Sequence, residues 1–149
     1  YLQKQFKDKS LQKEYICICC GRPPARTGDI RTQIIRDPKN RHRFKAVTDT
    51  DDGKFARTLY HCIACYGNYS LIRVRLKTGR THQIRVHMKY IGFPLVGDPV
   101  YGLRKVEGTN GQLLHAKKLE FHHPRTNEFL SFECPLPDYF EQYLNDIKE

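Results

Sequence analysis

The chain has 149 residues, 39% of them hydrophobic and 11% aromatic, which suits one globular domain with its own core and is too apolar for a disordered segment. Lys and Arg number 26 against 16 Asp and Glu, and the formal net charge of +10 points to a polyanionic partner such as nucleic acid. No apolar run approaches the roughly 20 residues of a membrane-spanning helix, and the opening YLQKQFKDKS is too polar for a secretory signal.

In chain order, Gln12 to Cys20 is expected to be a strand, followed by a loop containing Gly21, Pro23, Pro24 and Gly28. Asp29 to Arg36 is a second strand, ended by DPKN, and Arg43 to Thr48 a third, closed by the turn signal DTDDG. Lys54 to Cys65 and Leu71 to Leu76 flank the tight turn YGNYS and are expected to form a hairpin. Thr78-Gly79 interrupts the strand pattern, and a helix follows to about Ile91, with Gly92 as its stop. Ile84, Met88 and Ile91 fall on one face of that helix as a packing stripe, while His82, Arg85 and Lys89 fall on another. Beyond the Gly/Pro-rich loop from Gly92 to Gly102, Leu113 to His122 and Phe129 to Cys134 form another hairpin around HPRTNE. Pro135 and Pro137 end the sheet, and Asp138 to Ile147 is an amphipathic helix anchored by Tyr139, Phe140 and Tyr143. Short connections imply antiparallel pairing, so the predicted class is α+β with a mostly antiparallel sheet and few helices.

Six cysteines without a signal peptide suggest a reducing, cytoplasmic setting. Cys17-x-x-Cys20 and Cys62-x-x-Cys65 have zinc-like spacing, but both lie in strand-like sequence. Residues three apart on a strand face opposite sides, so neither pair converges without a bend, and buried cysteines of the core are the favoured reading.

LKTGRTHQIRVHM, from Leu76 to Met88, concentrates Lys77, Arg80, His82 and Arg85 around a turn that feeds a helix start, and Lys89 follows directly. Free N–H groups at a helix N-terminus favour anions, and arginine adds bidentate donors for phosphate or carboxylate. A solvated basic helix face is the bland alternative. HQIRVH lacks the acid and spacing of a zinc-binding HExxH helix, and neither a GxSxG elbow nor a GxxxxGK[ST] loop occurs. Asp98 in GDP could be a catalytic carboxylate but reads more simply as a turn residue, and Asp51 and Asp52 read as solvated turn acids. Tyr15 is either a half-buried strand aromatic or a platform for a nucleobase, a stacking worth about 1–3 kcal/mol.

LIRVRLKTGRTHQIRVHMKYIGFPLVGDPVYG, from Leu71 to Gly102, closely resembles the signature of RluA-type RNA pseudouridine synthases. LQKEYICICCGRP resembles that family's Lys-x-Tyr strand, DGKFARTLYHC its GK-x-A-x-T strand, and LLHAKKLEFHHPRTNEFLSFECPLPDYF its closing hairpin. The resemblance spans nearly the whole chain. It implies the pseudouridine synthase catalytic-domain fold and an enzyme that isomerises uridine in ribosomal or transfer RNA without cofactor or metal. Such an enzyme extrudes the base, breaks its N-glycosidic bond, turns the uracil and rejoins it through C5. It further implies that Arg85 pairs with a catalytic aspartate, that Tyr15 stacks on the target base, and that Ile84 contributes to the pocket wall. Lys77, Arg80, His82 and Gln83 would line the approach to the RNA backbone.

The family's aspartate lies in an HRLDxxTSG motif, and no such motif occurs in these 149 residues. YLQKQF resembles the helix that follows it. The expectation is therefore the C-terminal portion of a catalytic domain, inactive alone. Two alternatives stand beside it: a degenerate, non-catalytic RNA-binding module, and a zinc-stabilised domain.

Overall fold

A computed structural model of the chain describes residues 12–102, 111–122 and 125–148. The helix expected over YLQKQF lies outside them, as do His123 and Pro124 of the HPRTNE connection. Among the described residues, seven strands form one sheet: β1 Gln12–Cys20, β2 Thr27–Arg36, β3 Phe44–Val47, β4 Lys54–Tyr66, β5 Tyr69–Leu76, β6 Leu114–His122 and β7 Phe129–Glu133. Their spatial order is β3-β2-β4-β5-β1-β6-β7, with every neighbouring pair antiparallel. The helices α1 Gln83–Tyr90 and α2 Asp138–Lys148 accompany them among the described residues. The α+β, antiparallel expectation holds, and so do both hairpins.

Alternation along β1 separates the two faces. Cys17 and Cys19 point into a core that contains Ile72, Ile84, Met88 and Leu95, so α1 covers this side of the sheet. Ile16 and Ile18 point the other way, against Phe140 and Leu144 of α2. The helical period thus buries Leu144 together with Phe140, while Tyr139 and Tyr143 pack at the margin. The segment carrying Leu95 and Val96 is inserted beside the end of β1. The Val96 N–H donates to Ile18 O (2.9 Å), and Leu113 N–H donates to Val96 O (2.9 Å). That insertion brings the 92–102 loop back against α1.

The cysteines divide as their registers dictate. Cys17 and Cys20 belong to opposite faces. Cys62 and Cys65 do not, because a bulge between Cys62 and Ala64 adds a residue and turns both thiols to one side, 3.6 Å apart. The second pair thus contains the bend that convergence requires. Burial pushes the Cys62 thiol up to about 11, and all six cysteines are free thiols. Among the described residues, no three His, Cys, Asp or Glu side chains are grouped to hold a metal ion.

Candidate active site

The site grows from the turn between β5 and α1. Lys77 N–H donates to Arg57 O of β4 (3.1 Å), and Arg57 N–H donates to the Thr78 hydroxyl (3.0 Å), which fixes the exit of the strand. The Gln83 side chain then gathers the turn. Its Oε1 accepts from Arg80 N–H (3.0 Å) and the Thr78 hydroxyl (2.7 Å). Its Nε2 donates to Arg57 O (2.9 Å) and to the Thr58 hydroxyl (2.9 Å). Two acceptor contacts and two donor contacts use the amide fully. Gln83 therefore acts as an internal bracket that holds the TGRTH loop to β4.

The same network runs inward. The Thr58 hydroxyl, which accepts from Gln83, also contacts Nδ1 of fully buried His87 (2.7 Å). His87 Nε2 contacts the Thr32 hydroxyl (2.9 Å), so both ring nitrogens have a hydroxyl partner. Burial pulls the His87 imidazole down to about 4. His87 is thus a satisfied core histidine.

Arg85 leaves α1 on the opposite side from this network and meets Asp98 of the GDP turn. Its Nε donates to Oδ2 (2.8 Å) and its Nη2 to Oδ1 (2.9 Å), a bidentate pair. The Asp98 side chain is 0% exposed and that of Arg85 only 11%. Asp98 Oδ1 also accepts from Val100 N–H (2.9 Å) and Tyr101 N–H (3.0 Å). Burial pushes the Asp98 carboxyl up, but Arg85 and those two amides together outweigh it and hold the group below the usual carboxylate range. Asp98 is hence both the turn residue its sequence suggests and the carboxylate that anchors Arg85. The remaining Nη1 of Arg85 has no hydrogen-bond partner among the described residues, and the guanidinium carbon lies 5.1 Å from the Tyr101 ring centroid.

Tyr101 joins this cluster from the same loop. Its hydroxyl accepts from Phe44 N–H of β3 (2.8 Å) and contacts His82 Nδ1 (2.8 Å). His82 precedes the first residue of α1 in the left-handed region (φ 56°), which turns its ring edge-on to Phe44 and Tyr101. It therefore stands off the helical face on which period 3.6 would have placed it beside Arg85 and Lys89. Burial, followed by the nearby Arg85 cation, lowers the His82 pKa.

The expected site residues thus fall into three groups. Arg85 and His82 are drawn together with Asp98 and Tyr101. Gln83 and Ile84 are buried, the first in the bracket and the second in the core that Tyr15 borders from β1. Lys77 and Arg80 flank the turn, with Arg80 Nε donating to Phe55 O (2.8 Å). Tyr101 escaped notice in the sequence, where VYG at the end of a Gly/Pro-rich loop offers only the tyrosine itself as a signal.

Comparison with known proteins adds a second line. The profile described as RNA pseudouridylate synthase matches residues 1–90. The chain is 44% identical over 148 residues to the uncharacterized RNA pseudouridine synthase YlyB of Bacillus subtilis, covering 99% of this chain and 48% of that protein. It is 42% identical over 150 residues to a ribosomal large subunit pseudouridine synthase D of Borreliella burgdorferi, covering 99% of this chain and 44% of that one. The chain thus spans about half the length of these relatives. Its fold is similar to the human RNA Pseudouridylate Synthase Domain Containing 4 structure, with a TM-score of 0.79 at 21% identity over 98% of this chain and 66% of that one. With the matched segment running through Tyr15 on β1 and Arg85 on α1, the chain belongs to the RNA pseudouridylate synthase family, on its RluA-type branch.

Proposed function

We propose that the protein to which this chain belongs isomerises uridine to pseudouridine in RNA, and that these 149 residues are the C-terminal portion of its catalytic domain. What supports the reading is the family membership, carried on the segment that positions Arg85. Arg85 meets the catalytic aspartate through the guanidinium edge that Asp98 leaves open. A fixed cation there keeps an incoming carboxylate ionised and in place. Tyr15 stacks on the target base, Ile84 supports the pocket wall, Lys77, Arg80 and His82 shape the approach of the RNA, and Gln83 holds the loop that carries them. The chemistry needs no cofactor. The relatives named for the ribosomal large subunit favour ribosomal RNA as substrate, in the cytoplasm.

The test is tritium release from RNA labelled at C5 of uridine, using the full-length protein and the 149-residue chain side by side. Release by the full-length protein alone is expected. No release by the full-length protein on large-subunit ribosomal RNA or transfer RNA would refute the reading and favour a non-catalytic RNA-binding module. RNA affinity should also fall steeply with salt, with a log–log slope of about −0.7 per phosphate contacted on single strands. A flat response would show that no basic surface holds the RNA backbone.

A further inference from the structure

The Tyr101–His82 contact carries more information than its length. A backbone N–H only donates, so the Tyr101 oxygen is an acceptor towards Phe44. Tyr101 is 2% exposed, and its hydroxyl has no other acceptor among the described residues than His82 Nδ1. Were Nδ1 protonated, two donors would meet one phenolic oxygen and the buried hydroxyl proton would go unpaired, which buried polar groups avoid. The bond therefore runs from Tyr101 to Nδ1, and the single proton of the neutral imidazole is on Nε2. Nε2 faces away from Tyr101 and has no hydrogen-bond partner among the described residues, while the His82 side chain is half-buried.

The backbone points the same way. His82 is one of three non-glycine residues with positive φ among those described, and it is the one whose ring is clamped between two aromatic rings. Unfavourable backbone conformations persist where surrounding structure enforces them, and they collect at ligand-binding sites. The neighbouring Arg85 cation also disfavours a second proton on the ring.

We infer that Tyr101 is a positioning residue that locks His82 as its Nε2–H tautomer, so that His82 presents a neutral hydrogen-bond donor to an acceptor oxygen of the bound RNA. This rests on the RNA-modifying reading for the identity of the ligand, but the lock itself does not. Arg85 supplies charge at the site. His82 supplies direction without charge, which distinguishes an oriented oxygen from the general phosphate field.

Substitution by the two amides separates this role from a backbone role. Asparagine tolerates the left-handed conformation better than glutamine does. Glutamine, however, places its amide N–H where Nε2–H stood, and asparagine does not reach it. Affinity for a uridine-containing single-stranded RNA oligonucleotide should stay within about twofold in His82→Gln and weaken about tenfold in His82→Asn, the worth of one hydrogen bond. Long-range proton–nitrogen NMR of the 149-residue chain should show the Nε2–H tautomer, and Tyr101→Phe should convert it to a mixture. Equal affinities for the two amide variants, better binding by His82→Asn, an Nδ1–H ring, or an unchanged tautomer in Tyr101→Phe would each overturn the proposal. If the unaltered chain binds no RNA, the functional reading fails, and the tautomer spectra still decide the lock.

Discussion

Replacing Asp98 by alanine should lower the stability of the fold by about 3–5 kcal/mol, read as a shift in the urea midpoint at neutral pH. Two losses combine. Arg85 keeps its charge at 11% exposure with no carboxylate to meet, and uncompensated buried charge dominates the cost of breaking such pairs. The Val100 and Tyr101 amides lose their shared acceptor, so the loop that carries Tyr101 loosens as well. The double variant Asp98→Ala, Arg85→Met separates the terms. Removing both charges should recover most of the loss, because an apolar side chain of similar volume then fills the site. A single variant within about 1 kcal/mol of the unaltered chain would show that the pair is not the anchor described above.

Acidification should remove about 3 kcal/mol from stability between pH 6.5 and 4 through His87 alone, at 1.36 kcal/mol per unit between an unperturbed 6.5 and about 4. The sign follows from which state binds the proton. The unfolded chain protonates His87 near 6.5, whereas the folded chain holds it neutral down to about 4. Within that window unfolding takes up a proton, so falling pH favours the unfolded state. Above 6.5 the contribution is fully present, and below 4 no more is lost. An NMR titration of the His87 ring should accordingly show no protonation down to about pH 4. Titration of that ring near 6.5 in the folded chain would contradict the buried network of Thr32, Thr58 and Gln83.

Much of this architecture is legible in the residues because turns announce themselves. DTDDG, YGNYS and the Thr78-Gly79 break bracket strands whose observed bounds differ from expectation by no more than two residues. What escapes the linear pattern depends on partners distant in sequence. Asp98 looks like a turn residue because it is one, and its ion pair appears only when the inserted Leu95–Val96 segment returns the loop to α1. Gln83 looks like a donor at a basic helix start, but four internal contacts consume it. Helical phasing placed His82 beside Arg85 on α1, whereas a left-handed backbone takes it out of the helix. The bulge that turns Cys62 and Cys65 together is likewise a two-strand feature, invisible in CIAC alone.

In the proposed reaction Arg85 is the cation that meets the catalytic aspartate. The direct test is tritium release from C5-labelled uridine RNA by the full-length protein carrying Arg85→Ala, with its fold checked by circular dichroism and urea titration. The prediction is a loss of at least about 100-fold in turnover with the fold retained, in the range for removing one oriented electrostatic group from an active site. Turnover near that of the unaltered protein would contradict it.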